Sequence, residues 1–116
     1  MNEAGHQQRA FDIERAIGDL GDPAAKQYIC PVLIESFWGA AFHWIVVGCI
    51  RKHAWHTDSH AGLVKRLKQL NEDQVAVDWD KLETLRTGGW YTYQAGTAEV
   101  VEAELCCRNI RTWAMS

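Results

Sequence analysis

Residues 36–50 contain no charged side chain, and this feature most limits how the chain can fold. The stretch is fifteen residues long, which is shorter than the roughly 20 residues that a helix needs to cross a bilayer. We therefore predict a buried helix rather than a membrane segment. Its apolar residues form two adjoining rows at helical spacing: Leu33, Phe37, Ala40, Trp44 and Val47, and beside them Ile34, Trp38, Ala41, Ile45 and Gly48. Because more than half of its circumference is apolar, several other helices must cover it.

The N-terminal half predicts two helices. Apolar residues at helical spacing indicate a first helix over residues 7–20. The second is expected to begin with Asp22 as its N-cap and Pro23 at its first position, and to run to about His53. Pro31 would lie inside this helix, where its ring kinks the backbone.

The C-terminal half predicts three more helices and no strands, so the expected fold class is all-α. A third helix should start after residues 57–59, which offer three candidate N-caps. A short fourth helix should follow Asp78 or Asp80 and end at residues 88–89, where two glycines occur. A fifth should run from Thr97 to the end. Its expected inner side is Val101, Leu105, Cys106, Ile110 and Trp113.

Composition restricts the partners and the compartment. A chain of 116 residues predicts a single domain, 1–116. Its net charge of −3 argues against binding a polyanion over the whole surface. Four cysteines, two of them adjacent and none in a CxxC pair, are not typical of a disulfide framework, and no signal-peptide pattern is present. We expect a cytoplasmic protein with no membrane contact.

Three histidines follow the long apolar helix. His53, His56 and His60 would share one face if a single helix continued through them, as a metal site requires. The cap residues 57–59 argue that the helix breaks there and separates the rings. We therefore predict no metal site and no cofactor, and we interpret His43, inside the apolar helix, as a hydrogen-bonded core residue.

A basic segment overlaps these histidines. Its five positive side chains are Arg51, Lys52, Lys65, Arg66 and Lys68. They could contact phosphates while Trp55 stacks on a base. The alternative is two helix ends with ordinary solvated cations, which a helix C-terminus favours.

Residues 86–93 form a third candidate site. Arg86 leads through two glycines to Tyr91 and Tyr93, which are separated by one residue. A guanidinium near a phenol can bind a phosphate and orient a hydroxyl. The alternative is a helix C-terminus against which the tyrosines merely pack.

The order of these segments resembles a known family. The chain resembles the HEPN domain of prokaryotic nucleotide-binding proteins in three segments. These are residues 40–43 (Ala-Ala-Phe-His) of the apolar helix, residues 57–60 before a Leu/Val-rich helix, and residues 82–86 followed by Tyr91. The resemblance covers essentially the whole chain. It implies an up-and-down bundle of four to five helices that forms a homodimer, paired with a minimal nucleotidyltransferase as a toxin and antitoxin.

The resemblance also implies site residues. Catalytic members of the family are metal-independent ribonucleases with an arginine followed a few residues later by a histidine; that arginine falls on Arg86, and Tyr91 stands where they have histidine. Tyrosine, with a pKa of about 10, is a poorer base at neutral pH than histidine, with a pKa of about 6.5. In some toxins the partner nucleotidylates a tyrosine at the spacing of Tyr93.

Three functions follow as expectations. The first is a domain that binds a nucleotide or RNA, or docks a nucleotidyltransferase. Its expected site residues are Arg86, Tyr91, Tyr93, Arg51, Lys52 and Trp55. The second is an active ribonuclease toxin with Arg86 and Tyr91 as catalytic residues. The third is a structural helical module whose tryptophan-rich faces bind a protein.

Dimerisation is expected from the aromatic content as well. Six tryptophans and three phenylalanines are more large apolar area than one small layer of helices readily covers. Monomers seldom expose a large contiguous apolar patch, and a two-fold symmetric contact is the commonest way to cover one.

Overall fold

The computed structural model describes residues 1–116 as an all-helical chain, with 78% helix and no strand. The five helices are α1 (Glu3–Leu20), α2 (Cys30–His53), α3 (Leu63–Gln69), α4 (Asp73–Tyr91) and α5 (Thr97–Met115). A single 3₁₀ turn, Gln27–Ile29, precedes α2. The predicted all-α class and the predicted number of helices are confirmed.

Helix α2 lies at the centre of the fold. It packs against α1, α4 and α5 and contributes eleven of the 27 buried residues. The segment Gln27–His53 is long and apolar enough to cross a membrane by length and composition alone, with a mean hydropathy of 1.5. However, 61% of that apolar window is buried by the chain itself. This is the arrangement expected of a core helix.

The start of α2 differs from the prediction. Asp22 does cap a turn, since its Oδ1 accepts a hydrogen bond from the Ala24 N–H at 2.9 Å, but α2 itself begins only at Cys30. Pro31 therefore lies in the first turn rather than inside the helix. It causes no kink there, because an N–H in the first turn has no partner within the helix.

The boundaries of α3 and α4 also differ. Residues 57–59 do not cap α3. The residue before α3 is Gly62, which adopts a left-handed conformation (φ 67°). Helix α4 begins earlier than predicted and continues through Gly88 and Gly89 to Tyr91. A Cβ at Gly89 would meet the Ala95 side chain at 3.5 Å and the Pro31 backbone at 3.8 Å, which are ordinary contact distances. The two glycines are thus interior residues of α4 and not the helix stop that the sequence predicted.

All four cysteines are reduced and buried, as the absence of a disulfide pattern predicts. Burial raises the pKa of Cys49 and Cys107 to about 12 and that of Cys106 to about 11. These thiols are core side chains and offer no thiolate nucleophile at neutral pH.

Candidate functional site

Arg86 is held in place on two sides. Its Nε donates a 2.6 Å hydrogen bond to Oε2 of Glu35, and its guanidinium carbon lies 4.1 Å from the centre of the Trp38 ring. The side chain is still 33% exposed. Neither terminal nitrogen forms a hydrogen bond within the chain, so the edge of the guanidinium that binds phosphate bidentately is available.

Glu35 on α2 organises this end of the fold. Its Oε2 also accepts a 2.9 Å hydrogen bond from the indole N–H of Trp90. Trp90 follows Arg86 by four residues on α4, so the two share one helix face. The Trp90 side chain is 54% exposed and lies beside the guanidinium as an open aromatic surface. No motif in the sequence pointed to Glu35 as part of this site.

Tyr91 and Tyr93 lie at the same end of α4 as Arg86 but not against it. Because α4 continues through residue 91, five residues rotate Tyr91 by about 140° around the helix axis from Arg86. Neither tyrosine forms a hydrogen bond with Arg86. Their side chains are 80% and 100% exposed, and Tyr93 adopts a left-handed conformation (φ 60°).

His60 contacts the same tryptophan as Arg86. Its ring packs edge-on against Trp38 at 5.0 Å between centroids, and its Nδ1 lies 3.6 Å from Oε1 of Glu83. An open groove of about 730 Å³ begins at this histidine, and its lining includes Lys65 and Lys68 from α3. The structure therefore joins a histidine to the Arg86 region that sequence spacing did not connect with it.

The other predicted site residues lie elsewhere. Arg51 donates a 3.3 Å hydrogen bond to the Ala114 carbonyl, and Lys52 donates one of 3.0 Å to the Ser116 carbonyl. Trp55 packs under the Arg66 guanidinium at 5.1 Å. Glu35 and Arg51 are separated by about 24 Å along α2 at 1.5 Å per residue. Arg51 and Lys52 are thus at the opposite end of the central helix from the Arg86 region, whereas Lys65 and Lys68 of the basic segment line the groove at His60.

A second polar cluster joins α1, α2 and the loop that follows α2. His6 Nε2 lies 3.1 Å from Asp58 Oδ1 and 3.3 Å from His56 Nε2, and its Nδ1 lies 2.9 Å from His43 Nδ1. His53 and His60 do not take part: they pair with Glu72 and Glu83. His53, His56 and His60 are thus separated, whereas His6, fifty residues from His56, completes a cluster.

Burial lowers the pKa of two histidines in this cluster. Desolvation lowers the pKa of His43 to about 4, assisted by the nearby His6 and Arg9. Desolvation also lowers the pKa of His6, against the opposing charge of Asp58. Desolvation tends to raise the pKa of Asp58, but the Met1 amino group, His56 and His6 together hold it below its usual value. At neutral pH the buried His6 and His43 therefore favour the neutral imidazole, next to the Asp58 carboxylate.

No family model, no curated protein and no solved structure matches this chain. Its function therefore has to be inferred from the Arg86 region and the histidine cluster.

Proposed function

We propose that this chain is a HEPN-type domain that binds RNA or a nucleotide through the phosphate contacted by Arg86. The observation that carries the proposal is a guanidinium fixed by Glu35 and Trp38 whose two terminal nitrogens have no partner within the chain. Of the five guanidinium N–H donors, only the one on Nε is used within the chain, which leaves four for a ligand. Because the Arg86 side chain is already held in one position, it loses little conformational entropy when it binds a phosphate.

Exposed aromatic side chains at the Arg86 end of α4 support the same proposal. Trp90, Tyr91 and Tyr93 are all more than half exposed. Base stacking on such rings contributes about 1–3 kcal/mol per base. The groove from His60 past Lys65 and Lys68 supplies further positive charge for a phosphate backbone. These features favour a single-stranded ligand with accessible bases.

The pairing with a minimal nucleotidyltransferase, as in a toxin–antitoxin system, belongs to the proposal as well. It rests on the family resemblance and on the full exposure of the Tyr93 side chain, which leaves its hydroxyl open to a modifying partner. A cytoplasmic location fits both an RNA ligand and four reduced cysteines.

Replacement of Arg86 by alanine is expected to weaken RNA binding by about 10- to 100-fold, because a charge-assisted phosphate contact contributes about 1.5–3 kcal/mol. The measurement is fluorescence anisotropy with a labelled single-stranded RNA over a range of salt. The slope of log affinity against log salt should fall by about 1. Arg86→Lys should also bind poorly, because lysine keeps the charge but cannot bind bidentately.

Arg108 provides the matched control. It lies on α5, is 68% exposed and pairs only with Glu104 one turn away. Arg108→Ala removes the same charge and should leave RNA affinity within about twofold. The helical circular dichroism of Arg86→Ala should stay close to that of the parent chain, because an exposed ion pair contributes at most about 1 kcal/mol. Equal affinity of the two variants would contradict the proposal.

Ribonuclease activity is the second candidate, and the position of His60 favours it. Arg86 and His60 pack on the same Trp38, so a histidine is available to transfer protons where Tyr91 is unsuited to do so. In the same RNA experiment, run with EDTA, cleavage should then be lost in both Arg86→Ala and His60→Gln. Binding without cleavage between pH 6 and 9 would leave the domain as a binding protein.

A homodimer through the Arg86 end is also proposed. Tyr28 and Val32, at the start of α2, are 78% and 42% exposed, and Trp90 lies on the neighbouring helix end. Five of the six tryptophans are at least half buried within one chain, so the remaining exposed aromatic surface is concentrated here. Sedimentation equilibrium should give twice the 13.2 kDa chain mass. Trp90→Glu should shift the equilibrium toward the monomer.

The sedimentation and RNA-binding measurements together also test the third function, a structural helical module that binds a protein. A dimer that Trp90→Glu separates, combined with no affinity for RNA or nucleotide, would favour the structural interaction module. A mass of 13.2 kDa at all concentrations would exclude the dimer.

A further inference from the structure

A ligand set for a metal ion lies outside the Arg86 region. Its three atoms are His6 Nε2, His56 Nε2 and Asp58 Oδ1, which are 3.1, 3.3 and 3.4 Å apart. Tetrahedral zinc with bonds of about 2.0–2.1 Å holds its ligand atoms about 3.3–3.4 Å apart. The three atoms therefore already have the spacing of one face of a zinc tetrahedron.

We propose that His6, His56 and Asp58 bind a Zn²⁺ ion. Two imidazole nitrogens and one carboxylate oxygen suit zinc, whereas magnesium and calcium prefer oxygen ligands only. The His56 and Asp58 side chains are 42% and 60% exposed, so the ion can enter from solvent. Three protein ligands leave the fourth position for water.

His43 is the positioning residue of this site. Zinc-binding histidines usually donate their second ring N–H to a fixed acceptor. His6 Nδ1 lies 2.9 Å from His43 Nδ1. When His6 Nε2 binds zinc, His6 Nδ1–H donates to His43 Nδ1, and this bond fixes the orientation of the His6 ring. The His6 side chain is 99% buried, so it cannot turn toward water instead.

The ion would attach the loop after α2 to α1. His6 comes from α1, and His56 and Asp58 come from the loop before α3. His60, in the same loop, contacts Trp38 and Glu83. Zinc binding would therefore stabilise the loop that places His60 next to the Arg86 region. The proposal is independent of RNA binding, since no ligand atom is shared with Arg86.

The experiment uses the full chain without an affinity tag, freed of metal by a chelator. Titration with Zn²⁺ in a calorimeter should give one ion per chain, with the binding unaffected by excess Mg²⁺. Co²⁺ should produce the intense visible absorption of a tetrahedral site. Saturating Zn²⁺ should raise the melting temperature by about 10 °C.

Asp58→Asn and His56→Gln change exposed side chains and should fold. Each should lower Zn²⁺ affinity by more than about 100-fold, since changes to second-shell residues alone cost about 10- to 100-fold. His43→Gln should lower it by about 10- to 100-fold with the stoichiometry kept. The control is His60→Gln, two residues from Asp58 and half exposed, which should bind Zn²⁺ like the parent chain.

Two results would overturn the proposal. The first is the absence of a Zn²⁺ heat and of a Co²⁺ spectrum in the parent chain, which would make the cluster a hydrogen-bonded group only. The second is unchanged Zn²⁺ affinity in both Asp58→Asn and His56→Gln, which would place the ion elsewhere. Neither result depends on whether Arg86→Ala loses RNA affinity, so the two proposals can fail separately.

Discussion

Trp44→Ala is expected to lower the free energy of unfolding by about 4 kcal/mol, a large share of the 5–15 kcal/mol typical of a whole domain. Trp44 is fully buried on α2, and Phe11 packs edge-on against it at 5.1 Å between centroids. Alanine leaves a cavity between α1 and α2 that these helices can fill only partly. The change also removes the hydrogen bond from the Trp44 indole N–H to Glu14 Oε1, at 3.1 Å.

Urea unfolding followed by circular dichroism measures this loss. Trp44→Phe separates its two parts, because phenylalanine keeps most of the ring volume but cannot donate to Glu14. We expect it to cost about 1–2 kcal/mol. Leu105→Ala, at an exposed position on α5, is the control and should cost less than about 1 kcal/mol. A loss at Trp44→Ala no larger than at Leu105→Ala would contradict the central position of Trp44.

The central helix could be predicted because its signal is local and strong. A charge-free apolar stretch that is too short to cross a membrane predicts a helix buried within the protein. The observed α2 ends at His53, as predicted. The start of α5 at Thr97 could also be predicted from the sequence. Helix starts that depend on tertiary contacts could not be predicted. For example, α2 was expected to begin at Pro23 but begins at Cys30.

The inward face of α5 shows where periodicity fails. Val101 and Leu105, predicted to face inward, are 64% and 53% exposed. Cys106 and Ile110 are buried as predicted, and the other buried residues are Val100, Ala103, Cys107 and Ala114. The predicted and the observed inner residues both recur at helical spacing, so the pattern alone does not choose between them.

Some features of the candidate sites could also be predicted from the sequence, and others could not. Arg86 could be singled out from its neighbours in sequence, but its partners Glu35 and Trp38 lie some fifty residues away on α2. The histidine cluster shows this even more clearly. Spacing suggested His53, His56 and His60, whereas the fold selects His56 and adds His6 from α1. A pattern within one segment cannot reveal ligands that come from a helix and from a loop fifty residues further along the chain.

Gly48→Ala and Gly18→Ala are expected to change stability in opposite directions, although both replace glycine within a helix. Alanine is a better helix former by about 1 kcal/mol. At Gly18 on α1 a new Cβ meets nothing within 4 Å, so that gain should appear as a stabilisation of about 0.5–1 kcal/mol. At Gly48 on α2 the new Cβ would overlap the ring of Trp113 on α5.

The Trp113 ring cannot easily move aside to accommodate that methyl group. Its indole N–H donates a 2.8 Å hydrogen bond to Glu72 Oε2, and the Lys52 ammonium lies 5.8 Å from its ring centre. Overpacking of this kind costs about 1–3 kcal/mol or more, which exceeds the gain in helix propensity. The propensity gain is common to both substitutions, so urea unfolding should show Gly48→Ala less stable than Gly18→Ala by the overpacking cost, about 1–3 kcal/mol. Equal stabilisation by both substitutions would mean that α2 and α5 are not in close contact at Gly48, and the stacking of α5 on the central helix would have to be revised.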